Sequence, residues 1–154
     1  MIAIPQPQLE SDWVLKQTSK GVIKNFSIIQ IVCSFLAFIS EIFQTYGLWY
    51  FTIRTGIWAG LIFGINGGIG LFVAKEPTKS NLIALFIMSV ISIIFSYVLM
   101  IFGFFTFFWN VPLWKIEYFD GIIIGLIQFL IGLVEGGNAI ATALLSCHVI
   151  RFGR

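Results

Sequence analysis

Four long apolar stretches dominate this sequence, at residues 23–45, 55–74, 82–105 and 122–149. A transmembrane helix needs about 20 predominantly apolar residues, so each stretch is long enough to cross a bilayer. Of the 154 residues, 58% are hydrophobic and 10% are charged, against roughly 45–50% and about 25% in soluble domains. Because so few charges could not cover so apolar a surface, this composition excludes a water-soluble globule and a disordered chain. The sequence predicts an all-α membrane protein, a four-helix transmembrane bundle.

The remaining residues form polar segments at the ends of the predicted bundle. We predict a cytoplasmic N-terminal tail over residues 1–22, the bundle over residues 23–149, and a short cytoplasmic C-terminal tail over residues 150–154. Pro5 and Pro7 disfavour a helix near the start of the chain. No basic segment followed by a short apolar core and a cleavage site occurs there, so we expect no signal peptide.

The two sides of the predicted bundle differ in their basic and aromatic residues. In a four-span layout one side carries Lys16, Lys20, Lys24, Lys75, Lys79, Arg151 and Arg154, and the other carries only Arg54 and Lys115. Basic residues in short loops favour the cytoplasm, so we expect both termini and the connection between the second and third spans to be cytoplasmic. The opposite side carries Tyr46, Trp49, Tyr50, Trp58, Trp109, Trp114 and Tyr118. These rings are typical of an interfacial belt and are compatible with a docking surface for a partner.

Glycines at helical spacing mark the faces on which the spans are expected to meet. In the second span Gly56, Gly60, Gly64 and Gly68 recur every four residues, and the fourth span has Gly132 and Gly136. Glycine costs about 1 kcal/mol of helix propensity, so such a run indicates close backbone approach. We predict that these glycines pack inside the bundle; a contact between subunits is the alternative. The bulky apolar side of each span should face lipid.

Polar side chains within the spans are the second expected feature of the interior. At 1.5 Å per residue from the cytoplasmic ends, Gln30, Asn66 and Asn138 lie roughly 10–15 Å deep, and Glu135 roughly 18 Å deep. We predict that these four residues form a hydrogen-bonded layer. A carboxyl group at mid-bilayer costs about 2.5–3.5 kcal/mol on insertion scales, and no Lys or Arg lies deep within a predicted span. We therefore expect Glu135 to be neutral and to donate a hydrogen bond within this layer. Proton or cation handling and contact with another subunit are the alternatives, while Glu41 should reach the outer interface.

The sequence offers no motif for catalysis or metal binding. His148, the one histidine, has no partner residues nearby in the sequence and is expected to cap the end of the fourth span. Cys33 is expected to pack within the first helix. Cys147, near the cytoplasmic boundary, is a candidate for S-palmitoylation, with a buried thiol as the alternative. We expect no enzymatic activity, no cofactor and no metal, and a net charge of +2 gives no indication of a nucleic-acid partner.

Three segments of the spans carry a recognisable pattern. The first span has GVI at residues 21–23 and IQI at 29–31. The second has GIWAGLIF at 56–63 and GGIG at 67–70, followed by AKEPTK at 74–79. The fourth has LVE at 133–135 and AIA at 139–141. They resemble the membrane-spanning four-domain subfamily A proteins, the tetraspan family that includes the B-cell surface antigen type. The likeness is to that family's Gln-Ile pattern in the first span, its Trp-Gly-Gly start and small-residue run in the second, and its Leu-Glu and Ile-Ala signature in the fourth.

This resemblance implies cytoplasmic termini, homo- or hetero-oligomers that modulate receptors or ion entry, and no enzymatic activity. Gln30, Glu135 and the second-span glycines are the positions that carry over. The outer loop between the third and fourth spans lacks the cysteine pair of some members, and the tails are very short, so the chain looks like a short, divergent member. We expect a structural or auxiliary subunit of the plasma membrane, in contact with lipids and with its own copies or a larger complex. The alternative is a homo-oligomeric ion channel or transporter that uses Glu135.

Overall fold

The chain folds into four α-helices. The computed structural model describes the backbone of residues 6–46, 55–110 and 119–152, and side chains within residues 20–42, 55–108 and 122–151. The helices are α1 (Gln6–Tyr46), α2 (Thr55–Lys75), α3 (Lys79–Asn110) and α4 (Phe119–Phe152). Each contains a segment long and apolar enough to cross a membrane: Lys20–Ile42, Thr55–Lys75, Lys79–Phe108 and Ile122–Arg151. The prediction of four apolar helices in an all-α fold is confirmed.

All four helices are longer than the predicted spans, although α2 is longer by only one residue. In place of the tail predicted over residues 1–22, α1 begins at Gln6 and continues without a break into the first span. Pro7 lies in the first turn of α1, where its missing N–H has no intrahelical partner in any case and its fixed φ suits a helix. α3 and α4 also extend beyond the predicted ranges, because the length of an apolar stretch sets only the minimum length of the helix that contains it.

A short turn between α2 and α3 reverses the chain. The backbone N–H of Asn81 donates a hydrogen bond to Oγ1 of Thr78 at 3.3 Å, which makes Thr78 the N-cap of α3. The side-chain amide of Asn81 donates to the carbonyl oxygen of Glu76 at 3.0 Å. These two bonds fix the turn, so α2 and α3 pack as an antiparallel pair.

The four helices are arranged as a square. α1 packs against α2 and α4, and α3 packs against the same two helices. Each helix runs antiparallel to its neighbours: Gly56 at the start of α2 lies against Glu41 late in α1, and Gly70 near the end of α2 lies against Ser27 early in the first span. The start of the first span and the end of the fourth therefore lie at the same end of the bundle.

The outside of the bundle is apolar and the inside carries most of the polar side chains. The most exposed large apolar residues are Leu144 at 67%, Phe35 at 64%, Phe105 at 62% and Trp58 at 61%. The buried polar residues are Ser27, Gln30, Ser34, Ser40, Glu41, Asn66, Ser89, Ser92, Ser96, Gln128, Glu135, Asn138, Thr142 and Ser146. This distribution agrees with the expectation that bulky apolar faces turn outward, and it is the one that a bundle in lipid requires.

The hairpin α1–α2 and the hairpin α3–α4 share a sequence pattern. Residues 27–34 of α1 read SIIQIVCS and residues 89–96 of α3 read SVISIIFS. Residues 60–66 of α2 read GLIFGIN and residues 132–138 of α4 read GLVEGGN. Buried positions match across the two hairpins, since the serines, the first glycines and the asparagines of these segments are all buried.

The shared pattern corresponds to one packing contact made twice. A methyl group placed on Gly64 would lie 3.0 Å from the hydroxyl oxygen of Ser34 and 3.7 Å from its Cβ. A methyl group on Gly136 would meet the same two atoms of Ser96 at the same two distances. Equivalent contacts in equivalent places relate the hairpins by an approximate two-fold axis along the bundle, the symmetry of a parallel internal repeat.

Candidate functional site

The four polar residues predicted to form a layer all lie inside the bundle. Gln30, Asn66 and Glu135 are 0% exposed and Asn138 is 7% exposed. Ser89 and Ser92 of α3, both 0% exposed, complete the set. We call these six residues the interior polar layer. Every helix contributes to it, so it is the place where polar groups from the whole bundle are concentrated.

The two asparagines of the interior polar layer bond to neighbouring helices on opposite sides of the square and not to each other. Oδ1 of Asn66 on α2 accepts a hydrogen bond from Oγ of Ser89 on α3 at 3.5 Å. Nδ2 of Asn138 on α4 donates to the carbonyl oxygen of Phe26 on α1 at 2.9 Å. The asparagines occupy equivalent positions but use different atoms, since Asn66 accepts from a serine hydroxyl group and Asn138 donates to a backbone carbonyl group. The predicted mutual hydrogen bonds are replaced because the symmetry places the asparagines at different corners.

Glu135, expected to donate a hydrogen bond to Asn66, Asn138 or Gln30, lies closest among these to the side chain of Asn138. Among the described residues, neither polar atom of the Gln30 amide and neither oxygen of the Glu135 carboxyl group has a hydrogen-bond partner. Helical side chains lean toward the N-terminus of their own helix, and α1 and α4 are antiparallel, so the two side chains lean apart. The Glu135 carboxyl group instead lies near the Cys33 thiol on α1 and the Asn138 side chain on α4.

Glu135 also breaks the internal symmetry of the bundle. Its equivalent in the first hairpin is Phe63, which is 0% exposed and belongs to the apolar core. The equivalent of Gln30 is Ser92, so that pair is polar in both hairpins. The interior polar layer therefore has amide or hydroxyl groups in both halves and one ionisable group in only one half.

Glu41 is buried, contrary to the expectation that it reaches the interface. It is 1% exposed, and its Oε2 accepts a hydrogen bond from the backbone N–H of Gly56 at 3.1 Å. Gly56 lies in the first turn of α2, where backbone N–H groups lack intrahelical partners and the helix dipole favours an acidic group. The carboxyl group of Glu41 therefore caps a neighbouring helix, an arrangement that sequence spacing alone does not reveal.

Three glycines of the predicted second-span run contact α1, and the fourth does not. A methyl group on Gly56 would come within 2.9 Å of the carbonyl oxygen of Ala37, one on Gly60 within 3.1 Å of that of Ser34, and one on Gly64 within 3.0 Å of a Ser34 side-chain atom. A methyl group on Gly68 would meet nothing within 4 Å, and Gly68 is exposed.

The prediction that Gly68 packs inside the bundle is therefore wrong. A spacing of four residues advances the direction by about 40° per step on a helix of 3.6 residues per turn, so three steps from Gly56 rotate Gly68 by about 120°. The buried residues instead include Gly56, Gly60, Phe63, Gly67 and Gly70, which alternate by four and three as in an antiparallel pair of supercoiled helices.

The fourth-span glycines contact α3. A methyl group on Gly132 would lie 2.8 Å from the carbonyl oxygen of Ser96, and Gly136 faces the Ser96 hydroxyl group. The closest approach is at a glycine pair on facing helices: a methyl on Gly103 would lie 2.8 Å from the carbonyl oxygen of Gly125, and one on Gly125 would lie 3.0 Å from that of Gly103. Sequence reasoning missed Gly125.

The described residues do not form a reactive constellation. No group of three or more His, Cys, Asp or Glu that could hold a metal ion occurs within the described residues. Cys147 has an exposed thiol and Cys33 a buried one, so Cys147 is accessible to modification. His148 is exposed near the end of α4. The arrangement can hold helices together and can offer one buried carboxyl group with amide and hydroxyl neighbours.

Comparison of the chain with models of protein families, with curated protein sequences and with solved structures finds no match.

Proposed function

We propose that the chain is a non-enzymatic, four-span subunit of the plasma membrane that associates with its own copies or with a larger receptor or channel complex. The observation that carries this proposal is the difference in side-chain type between the inside and the outside of the bundle. Polar and small side chains are used in contacts between the four helices, while the outer face offers bulky apolar side chains to lipid or to a partner in the membrane.

The packing of the interior supports a structural role over conduction through a single chain. Phe63, Leu85 and Leu99 are each 0% exposed and lie in two apolar clusters of the core. Side chains of this size fill the space between helices at the density of a protein interior. An ion would therefore meet apolar side chains above and below the interior polar layer.

Charge at the two ends of the bundle supports an orientation with cytoplasmic termini. Five Lys and Arg residues have described side chains, and all five lie at the end of the bundle where the first span begins and α4 ends. They are Lys20, Lys24, Lys75, Lys79 and Arg151. Basic residues next to spans favour the cytoplasmic side. The resemblance to the membrane-spanning four-domain subfamily A proteins supports the same orientation and the same kind of role.

The test of this proposal uses the outer face of the bundle. Gly68 and Gly137 have open space around them, so a tryptophan at either position leaves the interior unchanged. We expect the full-length protein in native membrane nanodiscs to migrate as a complex larger than one chain. Gly68→Trp or Gly137→Trp should reduce that size if the substituted face is in contact. A wild-type chain that is monomeric at native expression levels, with no associated membrane protein, would refute the proposal.

A homo-oligomeric channel or transporter that uses Glu135 is the second candidate, and one observation favours it. Both oxygens of the Glu135 carboxyl group lack a partner among the described residues, and acidic groups within spans often belong to ion pathways. If the wild-type protein conducts cations in proteoliposomes and Glu135→Gln abolishes the flux while the assembly remains intact, this candidate replaces the first. If no flux exists in the wild type, the structural role is favoured.

A further inference from the structure

Basic side chains surround one end of the bundle, and every helix contributes to them. They are Lys20 and Lys24 on α1, Lys75 on α2, Lys79 on α3 and Arg151 on α4, and we call these five residues the basic ring. Four of the five are exposed and Lys20 is half-buried. Among the described side chains, the one acid at this end is Glu76, which is also exposed. The described side chains here therefore carry five formal positive charges against one negative charge.

The helix register places the inner part of the basic ring in a narrow band of depth. Ser27 on α1 lies against Gly70 on α2, and the side chain of Leu85 on α3 lies against the same glycine. From that level, at 1.5 Å per residue, the innermost basic residue of each of these three helices lies about 4–9 Å nearer the end of the bundle. Lys20 and Arg151 lie farther out. This band matches the headgroup layer of a bilayer, which adds about 5–8 Å on each side of the hydrocarbon core.

Exposed apolar side chains accompany the lysines on the outer surface of the bundle. On three helices a large exposed apolar residue lies three or four positions from an exposed lysine, on the side of the bundle centre. The pairs are Lys24 with Ile28, Lys75 with Phe72, and Lys79 with Ile83. Residues at these spacings are neighbours on a helix surface. Each pair therefore presents a cation next to an apolar surface, which matches a phospholipid with an anionic headgroup and apolar chains.

We propose that the basic ring binds the headgroups of anionic phospholipids, such as phosphatidylserine, in the adjacent leaflet of the bilayer. One basic residue near an anionic membrane surface contributes about a fivefold gain in association, whereas a zwitterionic headgroup has no net charge to attract it. The direction of insertion requires only an excess of basic residues in the loops on one side. The distribution over all four corners of the square does more, because a lipid at any point of the perimeter lies near a cation.

Two further acidic residues of α1 lie too far along the helix to neutralise the basic ring. Asp12 is about 12 Å from Lys20 along the helix axis, and Glu10 is about 15 Å from it. The Debye length at physiological ionic strength is about 8 Å, so these charges are largely screened from the ring. The excess of positive charge at the headgroup level therefore remains.

This inference rests on the membrane location in the proposed function, but it requires no protein partner. A single chain has the same basic ring as an assembled one. Lipid preference and assembly can therefore be measured separately, and one can fail while the other holds.

The experiment measures the lipid selectivity of the full-length protein in phosphatidylcholine vesicles. Traces of chain-labelled phosphatidylserine or phosphatidylcholine are added, and electron paramagnetic resonance separates spin-labelled lipid in contact with the protein from bulk lipid. At low salt we expect phosphatidylserine to associate about threefold more strongly than phosphatidylcholine, less than the single-residue gain because the label samples both leaflets. In about 1 M NaCl, where the Debye length is about 3 Å, the two lipids should associate equally.

Two single-residue variants should change the selectivity in opposite directions. Lys79→Gln removes a cation and should lower the preference for phosphatidylserine, whereas Glu76→Gln removes the acid and should raise it. Both side chains are exposed, so neither change alters the interior, and opposite signs distinguish an effect of charge from an effect of packing. Ser80→Ala is the control, because it changes an exposed neutral residue of the same turn and should leave the selectivity unchanged.

Equal association of the two lipids with the wild-type protein at low salt would overturn the proposal. A shift of Lys79→Gln and Glu76→Gln in the same direction would also overturn it. Soluble glycerophosphoserine should not displace the labelled lipid; displacement would indicate a site for free anions in place of a lipid surface. The size of the assembly is measured on the same preparations, so loss of lipid selectivity with an intact assembly would refute this inference and leave the proposed function standing.

Discussion

The close approach of α3 and α4 gives the sharpest prediction for the fold. Gly132 and Gly137 both lie in the middle of α4, but they point in opposite directions. A methyl group at Gly132 would lie 2.8 Å from the carbonyl oxygen of Ser96, 2.9 Å from the backbone nitrogen of Met100 and 3.1 Å from its Cβ. A methyl group at Gly137 would meet nothing within 4 Å. Replacing each glycine by alanine therefore adds the same atom to a contact in one case and to the outer surface in the other.

The magnitude follows from the distances. Ordinary contact begins at 3.4 Å, so Gly132→Ala requires about 0.6 Å of additional separation between two backbones, which have no flexible side chain to yield. Overpacking of this kind costs about 1–3 kcal/mol. Alanine gains up to about 1 kcal/mol of helix propensity at either position. We therefore expect Gly132→Ala to be about 2 kcal/mol less stable than Gly137→Ala, which for a chain of this size corresponds to about 4–8 °C in Tm.

The assay is thermal unfolding of both variants and the wild type in the same detergent, followed by near-ultraviolet circular dichroism and by the loss of the monodisperse peak in size-exclusion chromatography. Gly137→Ala should unfold at or above the wild-type temperature, and Gly132→Ala should unfold below it. If Gly132→Ala is as stable as Gly137→Ala, then α3 and α4 do not approach each other at this position, and the packing described for both hairpins is wrong.

Three further outcomes are expected. Ser34→Ala should destabilise the protein more than Ser96→Ala, by about 0.5–1 kcal/mol in the same unfolding assay. The reason is that Oγ of Ser34 donates to the Gly60 carbonyl oxygen on the neighbouring helix at 2.7 Å, whereas Oγ of Ser96 donates to a carbonyl oxygen of its own helix. Equal losses of stability in the two variants would contradict this reasoning. In detergent, a maleimide reagent should label Cys147 at least tenfold faster than Cys33, as judged by mass spectrometry of the intact protein, because one thiol is exposed and the other buried. In sealed cells, an impermeant maleimide should leave Cys147 unlabelled until the membrane is permeabilised, and labelling without permeabilisation would refute the cytoplasmic orientation.

The features that sequence reasoning predicted are those set by hydropathy and by the preference of lipid for apolar surface. Uncharged apolar stretches of this length have few alternatives to a helix in lipid, so the four spans follow from composition and length. The inward direction of Gln30, Asn66 and Glu135 follows in the same way, because an outward direction would place polar groups against acyl chains. The continuation of α1 back to Gln6 did not follow, since a polar helix end has no hydropathy signal.

The partners of individual side chains were not predictable, because they depend on how the helices are rotated and paired. Depth along the membrane normal correctly places Asn66 and Asn138 in one layer, but it does not distinguish neighbouring corners from opposite corners of a square. Glu41 shows the same limit, since its capping contact with Gly56 depends on the connection between α1 and α2. A search for an internal repeat would have supplied much of this information, because it relates the two hairpins before any contact is known.

The internal symmetry also shows which sequence differences between the two hairpins are explained by helix packing. At the outer end of the first hairpin, Gly56 of α2 lies against Glu41 of α1; in the second hairpin the equivalent positions are Gln128 of α4 and Gly103 of α3, so the glycine and the long polar residue have exchanged helices. A methyl group on Gly56 would meet the Glu41 carboxyl group at 2.8 Å, whereas one on Gly103 would meet the backbone carbon of Gln128 at 3.1 Å, so each hairpin keeps one glycine where the helices approach closely. No such exchange accompanies Glu135.

Glu135 occupies the position of a fully buried ring, Phe63, and its neighbour Cys33 occupies the position of Phe95, so two rings of one half correspond to an acid and a thiol in the other. A large apolar side chain would fill the same position without the cost of burying a carboxyl group. Packing alone therefore gives no reason for an acid at this position. The two hairpins therefore differ at this position in chemistry as well as in volume.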